Sequence, residues 1–213
     1  MFTNAYSNWR EEIEKTVVAK KLHFEGVISL DMSSPIATPT IDYWPRYLTI
    51  VLAIILPNLR KINLSNATIN GPFTLDCFLK KCSYLETITW NNIEYQSEVK
   101  LSGYQLIDGK NLKEICMDNS VFSGYFDKLS DLGNNEYSDC FLFHHCSSTV
   151  LERVSIKNAK HGEYNYTATI LPQNALIKFV RKSPPSLRWF RSDLSSENMT
   201  MLRSERPEIE LVN

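Results

Sequence analysis

The sequence has few glycines, little net charge and no long apolar run. Only 7 of its 213 residues are glycine, and neither the dinucleotide-binding glycine motif nor a P-loop occurs, which argues against the common nucleotide-binding classes. The formal net charge is −1, whereas a nucleic-acid-binding domain usually carries a basic excess. The longest apolar stretch, residues 48–56, is far shorter than the roughly 20 residues that cross a bilayer. We therefore predict no nucleic-acid partner, no membrane partner and a buried helix at residues 48–56.

A secretory signal and an even set of cysteines are also missing. Glu11, Glu12 and Glu14 stand where a signal peptide needs an apolar core. The 5 cysteines are odd in number, and disulfides are rare in reducing compartments. We expect reduced thiols in a cytoplasmic protein, with the nucleus as the alternative compartment.

Catalytic motifs are scarce as well. The serine elbow of hydrolases does not occur, so we predict no enzymatic activity, no catalytic residue and no cofactor. Cys140, His144, His145 and Cys146 leave one alternative, a metal-dependent binder or enzyme centred on them. A zinc site normally takes four ligands at recognised spacings, and the residues between this cluster's members are mostly apolar. A core helix is the favoured interpretation, and no metal ligand is assigned.

A short frame recurs along the chain. It consists of an apolar residue, two variable residues, an apolar residue, one variable residue, an apolar residue, one variable residue and an asparagine, and full copies occupy residues 59–66, 85–92, 112–119 and 151–158. A fifth copy starts at Leu187, and two shorter copies consist of Ile209 with Leu211 and of Ile28 with Leu30. Repetition at roughly 20–50 residues is the signature of repeat architectures.

The alternation within the frame predicts short strands with one apolar face. Ile62 and Leu64 would share that face, while Lys61, Asn63 and Ser65 would share the polar one. Strands this short cannot bury an apolar face alone. Stacked copies should therefore form a parallel sheet over a continuous core.

The segments between the copies predict helices. Apolar residues recur at helical spacing in residues 44–56, 73–82, 173–180 and 195–202. Pro184 and Pro185 should stop the third helix, and Ser195 is a candidate N-cap of the fourth. Residues 1–21 contain a further amphipathic stretch, which we expect to form an N-terminal capping helix for a domain of residues 22–213.

The frame resembles the strand consensus of the leucine-rich-repeat family, and its helical connections are similar to the ribonuclease-inhibitor or F-box-associated type. The resemblance covers residues 28–213. It implies an α/β solenoid of about six to seven irregular repeats, a horseshoe with parallel strands on its concave face and helices on its convex face. It also implies a non-catalytic protein–protein interaction module that presents its concave sheet surface to a macromolecular partner.

The chain departs from the family consensus at the ninth position of the repeat. Where the family often places Asn, Cys or Thr, this chain has Ala67, Ile93, Ser120 and Ala159, each preceded by an asparagine. Asparagine tolerates left-handed backbone conformations better than most residues. We predict that these asparagines turn the chain away from the sheet.

The concave face usually meets the partner in this family, so the polar strand positions are the predicted binding residues. They are Lys61, Asn63, Thr87, Thr89, Glu114, Cys116, Arg153, Ser155, Trp189 and Arg191. Trp189 and Arg191 are the strongest candidates because tryptophan and arginine often dominate interface energy. The other interpretation of Trp189 is a cap on the last repeats, and that of the charged positions is a solvated face.

The last predicted strand, residues 209–212, lies at the end of the stack of copies. Solenoid ends normally need a polar cap, so we expect this strand to offer an edge for self-association. The alternative is that the chain is a fragment of a longer repeat protein.

Overall fold

A computed structural model describes residues 23–33, 46–66, 74–92, 110–123, 150–162 and 168–213. In chain order, the strands in these residues are β1 (Ser29–Asp31), β2 (Lys61–Asn63), β3 (Thr87–Thr89), β4 (Glu114–Cys116), β5 (Val121–Ser123), β6 (Arg153–Ser155), β7 (Lys160–Gly162), β8 (Thr169–Ile170), β9 (Trp189–Arg191) and β10 (Glu210–Val212). The expected N-terminal helix at residues 1–21 and the Cys140–His144–His145–Cys146 cluster lie outside the described residues.

Seven of the strands form one sheet in the order β1-β2-β3-β4-β6-β9-β10. Every strand pairing in this sheet is parallel, so the predicted parallel sheet is confirmed. The strands β5, β7 and β8 form a second, smaller sheet, in which β7 and β8 are antiparallel. The repeat frame does not predict this second sheet, because β5, β7 and β8 lie outside the copies of the frame.

Helices alternate with several of the strands, which makes the architecture α/β. The described helices are α1 (Arg46–Ile55), α2 (Thr74–Lys81), α3 (Gln173–Lys182) and α4 (Ser196–Glu205). They lie where the sequence predicted them, and Ser195 caps α4 by accepting a hydrogen bond at Oγ from the Asn198 amide at 3.2 Å. None of the helices in the described part of the chain is long and apolar enough to span a membrane.

One apolar core joins the sheet to the helices. The middle residues of the seven strands lie side by side in one row, namely Leu30, Ile62, Ile88, Ile115, Val154, Phe190 and Leu211. All except Leu30 are buried, and Phe78 of α2, Phe179 of α3 and Leu202 of α4 belong to the same core. Each such side chain, when fully buried, stabilises the fold by about 1.5–3 kcal/mol.

The two end strands do not have the register that the shorter copies predicted. Those copies place Ile28 and Ile209 at the frame position that Ile62 and Phe190 occupy in their own copies. Leu30 pairs with Ile62 and Leu211 pairs with Phe190, so each apolar pair is shifted by two residues relative to the prediction. At the β1 end, Ile28 is 55% exposed and Met32 takes the second buried position. The error arises because a shift of two residues leaves every side chain on the same face of the strand, so that the alternation alone does not distinguish the two registers.

The asparagines that end the full copies have the predicted conformation. The φ angles are 59° at Asn66, 59° at Asn92, 55° at Asn119 and 57° at Asn158. These values lie in the left-handed region, where a side chain normally costs energy and asparagine is tolerated. The turn away from the sheet is therefore built the same way after each full copy.

Candidate interaction surface

The ten predicted binding residues lie on one face of the seven-stranded sheet, which we call the polar face. The register of β2, β3, β4, β6 and β9 places the first residue of each strand in one row and the third in another. The first row is Lys61, Thr87, Glu114, Arg153 and Trp189, and the second is Asn63, Thr89, Cys116, Ser155 and Arg191. The middle residue of each strand points to the core instead.

Nine of the ten side chains are exposed or half-buried, and Ser155 is the exception. Only 2% of Ser155 is accessible, and its Oγ donates a hydrogen bond to Asp118 Oδ1 at 2.6 Å. Ser155 is therefore buried beneath the polar face, where its hydroxyl holds Asp118 rather than facing solvent.

Trp189 has a cationic neighbour on the adjacent strand, β6. The guanidinium carbon of Arg153 lies 4.3 Å from the centre of the Trp189 ring, which is within cation–π distance. Arg153 Nε also lies 3.4 Å from Glu114 Oε1. Along the first row, Glu114 thus contacts Arg153, and Arg153 contacts Trp189. These three residues lie on neighbouring strands.

Arg191 pairs with an acidic residue that lies beyond the strand next to it. Its Nη1 lies 3.2 Å from Asp118 Oδ2, and the Asp118 side chain is only 15% exposed. The other carboxylate oxygen, Oδ1, accepts hydrogen bonds from Ser155 Oγ at 2.6 Å and from the Lys157 amide at 2.7 Å. Asp118 therefore holds three neighbouring groups in place.

A ladder of side-chain acceptors runs along the end of the polar face. Ser65 Oγ accepts from the Asn91 amide at 3.1 Å, Asn91 Oδ1 accepts from the Asp118 amide at 2.8 Å, and Asp118 Oδ1 accepts from the Lys157 amide at 2.7 Å. Each acceptor satisfies a backbone N–H of the following strand where the regular strand pairing has ended. All three acceptors occupy the variable position just before the asparagine of the frame, which the alternation of apolar and polar residues assigns to the polar face.

The left-handed asparagines also pair with one another. Asn92 Nδ2 donates to Asn66 Oδ1 at 2.7 Å, and Asn158 Nδ2 donates to Asn119 Oδ1 at 2.9 Å. At the ninth position, the buried Ser120 donates from Oγ to the Trp90 carbonyl at 3.1 Å. Side-chain hydrogen bonds between neighbouring turns are thus present, mainly one residue earlier than the family consensus suggests.

The thiol of Cys116, on the polar face, has low reactivity. Burial raises the pKa of Cys116 to about 11, with further increases from the carboxylates of Glu114 and Asp118 and decreases from Arg153 and Arg191. A protonated thiol is a poor nucleophile and a poor metal ligand. In the described residues no group of three or more His, Cys, Asp or Glu side chains is arranged to hold a metal ion.

The chain matches no protein-family model and no curated protein.

Proposed function

We propose that this chain is a leucine-rich-repeat solenoid, a horseshoe whose concave side is the polar face, and that this face binds a protein partner without catalysing a reaction. The observation that carries the proposal is the alignment of residues from position 61 to position 191 into two regular rows on one sheet face. A parallel sheet with one polar and one buried face supports the repeat architecture, as do four left-handed asparagines at equivalent positions.

The polar face is ordered before any partner arrives. Arg153 is held by Trp189 and Glu114, and Arg191 is held by Asp118. Side chains that are already fixed lose less conformational entropy on binding, which favours affinity. Arg153 and Arg191 nevertheless keep 46% and 43% of their side-chain surface exposed, so both can still donate hydrogen bonds to a partner.

The charges of this face suit a protein partner better than a nucleic acid. Arg153 is paired with Glu114, Arg191 with Asp118, and Lys157 with Asp193 at 3.0 Å. A surface on which each of these cations has an adjacent carboxylate does not attract a polyanion strongly. It does provide alternating charges, which select partners by complementarity.

Quantitative affinity purification with the full chain tests the proposal. Trp189→Ala removes the aromatic side chain from the first row, and Thr87→Glu adds a charge in the same row two strands before Arg153. Tyr84→Ala is the matched control, because Tyr84 is an aromatic residue, 54% exposed, that precedes β3 and lies outside both rows. All variants are first compared with the wild type by circular dichroism.

We expect at least one protein to be captured by the wild type and by Tyr84→Ala, and to be reduced about tenfold or more by each row variant, as for an interface hot spot. Capture of the same proteins in equal amounts by all four forms would show that the polar face is not the binding surface.

A further inference from the structure

The outer edge of β10 ends the seven-stranded sheet within the described part of the chain. The Glu210 amide donates to the Arg188 carbonyl at 2.8 Å, and the Val212 carbonyl accepts from the Ser192 amide at 3.1 Å. Both residues therefore direct their backbone groups towards β9. Because successive residues of a strand direct these groups to opposite sides, Leu211 directs its amide and carbonyl to the outer edge. The Leu211 carbonyl is thus the acceptor that a further strand needs.

An arginine already occupies this acceptor. Arg203 lies in the last turn of α4, and its Nη2 donates to the Leu211 carbonyl at 3.1 Å. A hydrogen bond from a charged donor is about twice as strong as a neutral one. Charged side chains at strand edges are also a common means by which sheets avoid edge-to-edge pairing. An incoming strand has to break the Arg203 bond and remove the guanidinium from its place.

We propose that Arg203 blocks the β10 edge and that its loss opens a strand-pairing site, which a second copy of this chain fills. Two copies related by a twofold axis present identical edges, and the pairing between them is antiparallel. Leu211 then faces Leu211 of the second copy, so that each supplies the amide and the carbonyl that the other needs.

The side chains next to this pair do not oppose the arrangement. In an antiparallel pair centred on Leu211, Glu210 of one copy faces Val212 of the other, and the two glutamates are not placed opposite each other. The edge that the sequence led us to expect is therefore geometrically suited to self-association, and Arg203 holds it closed. This inference does not depend on the proposed function, because neither row of the polar face contributes backbone groups to the outer edge of β10.

The test compares the full chain with two arginine-to-alanine variants. Arg203→Ala removes the blocking group, and alanine favours the helix in which it stands. Arg181→Ala is the matched control: it removes an arginine on α3 whose two hydrogen bonds to Glu205, both 2.7 Å long, do not involve the edge. Sedimentation velocity over a range of concentrations gives the dissociation constant of each form, and hydrogen exchange follows the Leu211 amide.

We expect Arg203→Ala to self-associate about tenfold more tightly than the wild type, the factor that corresponds to losing one charge-assisted hydrogen bond. The Leu211 amide should exchange more slowly in the associated form, while Arg181→Ala should behave like the wild type. If Arg203→Ala does not fold, Arg203→Met is measured instead, with the same expectation, because methionine favours a helix and has no hydrogen-bond donor.

Three results would overturn the inference. The first is an unchanged dissociation constant for a folded Arg203 variant. The second is association without slower exchange at Leu211, which points to a different contact surface. The third is equal association of Arg181→Ala, which points to general loss of stability.

Discussion

At the scale of single residues, Asp118 connects three neighbouring groups of the polar face. Its carboxylate accepts from Ser155 Oγ and the Lys157 amide and pairs with Arg191. Deleting a mostly buried acceptor leaves its donors unsatisfied, and this costs more than the bond itself is worth. The order of the polar face therefore depends on a residue whose own side chain is largely covered.

We predict that Asp118→Ala lowers the free energy of unfolding by about 2–3 kcal/mol. Asp118→Asn should cost less, because an amide oxygen still accepts from Ser155 and Lys157 while only the charge is lost. Urea denaturation measures both values, with Glu152→Ala as a control at an exposed position immediately before β6. Equal losses for alanine and asparagine would mean that the acceptor role of Asp118 is unimportant.

The left-handed asparagines allow a second prediction at this scale. At Asn92, with φ of 59°, glycine should be tolerated better than alanine, because alanine costs about 1 kcal/mol in this conformation. Asn111 also makes a side-chain hydrogen bond, from Nδ2 to the Ser83 carbonyl at 2.7 Å, but is not among the residues with positive φ. There, alanine should be tolerated better than glycine, which adds entropy to the unfolded chain.

Thermal unfolding of the four variants checks this reversal of order between the two positions. If glycine and alanine rank the same way at both, the positive φ at Asn92 has no energetic importance.

At the scale of elements, two arginines join α3 to α4 and to the turn that follows it. Arg181 binds Glu205 through two hydrogen bonds, and Arg206 donates from Nη1 to the Val180 carbonyl at 2.8 Å near the end of α3. A cation at this end of a helix is favourable, because the last carbonyls lack partners within the helix. Arg206 also pairs with Glu208 through Nε. These contacts connect the end of α3 to the last turn of α4 and to the residues that follow it.

The same contacts predict how stability depends on pH. Hydrogen bonds from Arg181 and Arg206 lower the pKa values of Glu205 and Glu208, respectively, below the usual 4.5. A carboxylate whose folded pKa is lowered contributes stability above its unfolded pKa, and this contribution is lost as the pH falls through the folded pKa. We therefore expect the free energy of unfolding to fall as the pH is lowered below about 4.5.

Glu205→Gln isolates one part of this effect. The variant should be less stable than the wild type at pH 6, and the difference should shrink as the pH falls below 4.5 through the lowered pKa of Glu205, because the wild-type carboxyl then takes up a proton. Denaturation curves at several pH values measure the difference. A constant difference between pH 6 and pH 3 would show that the charge of Glu205 does not stabilise the α3–α4 contact.

At the scale of the whole molecule, one sheet combines a buried face, a polar face and, at β10, an edge with a role of its own. The apolar side of the sheet shares its core with the helices, and the polar side carries the two rows. Edge strands normally invite pairing, and Arg203 of α4 counters this at the β10 edge. The proposed binding surface and the proposed self-association site thus belong to the same sheet but use different parts of it.

The local patterns of the sequence determined much of this arrangement. Alternation of apolar and polar residues has a period of two in any strand, so the sequence alone assigned Ile62 to the core and Lys61 to the polar face. Asparagine has an intrinsic tolerance for left-handed conformations, which led to the correct turns. Ser195 likewise identified the start of α4, because capping is decided within a few residues.

Only the tertiary structure decided which distant side chains meet. The strands of the sheet are joined by connections of unequal length, so spacing in the sequence does not reveal that Arg153 lies over Trp189 or that Arg191 reaches Asp118, 73 residues away. The same holds for the burial of Ser155 and for the contact between Arg203 and the Leu211 carbonyl. Each depends on the register and packing of neighbouring elements, whereas the sequence determined the face of each strand through its own alternation.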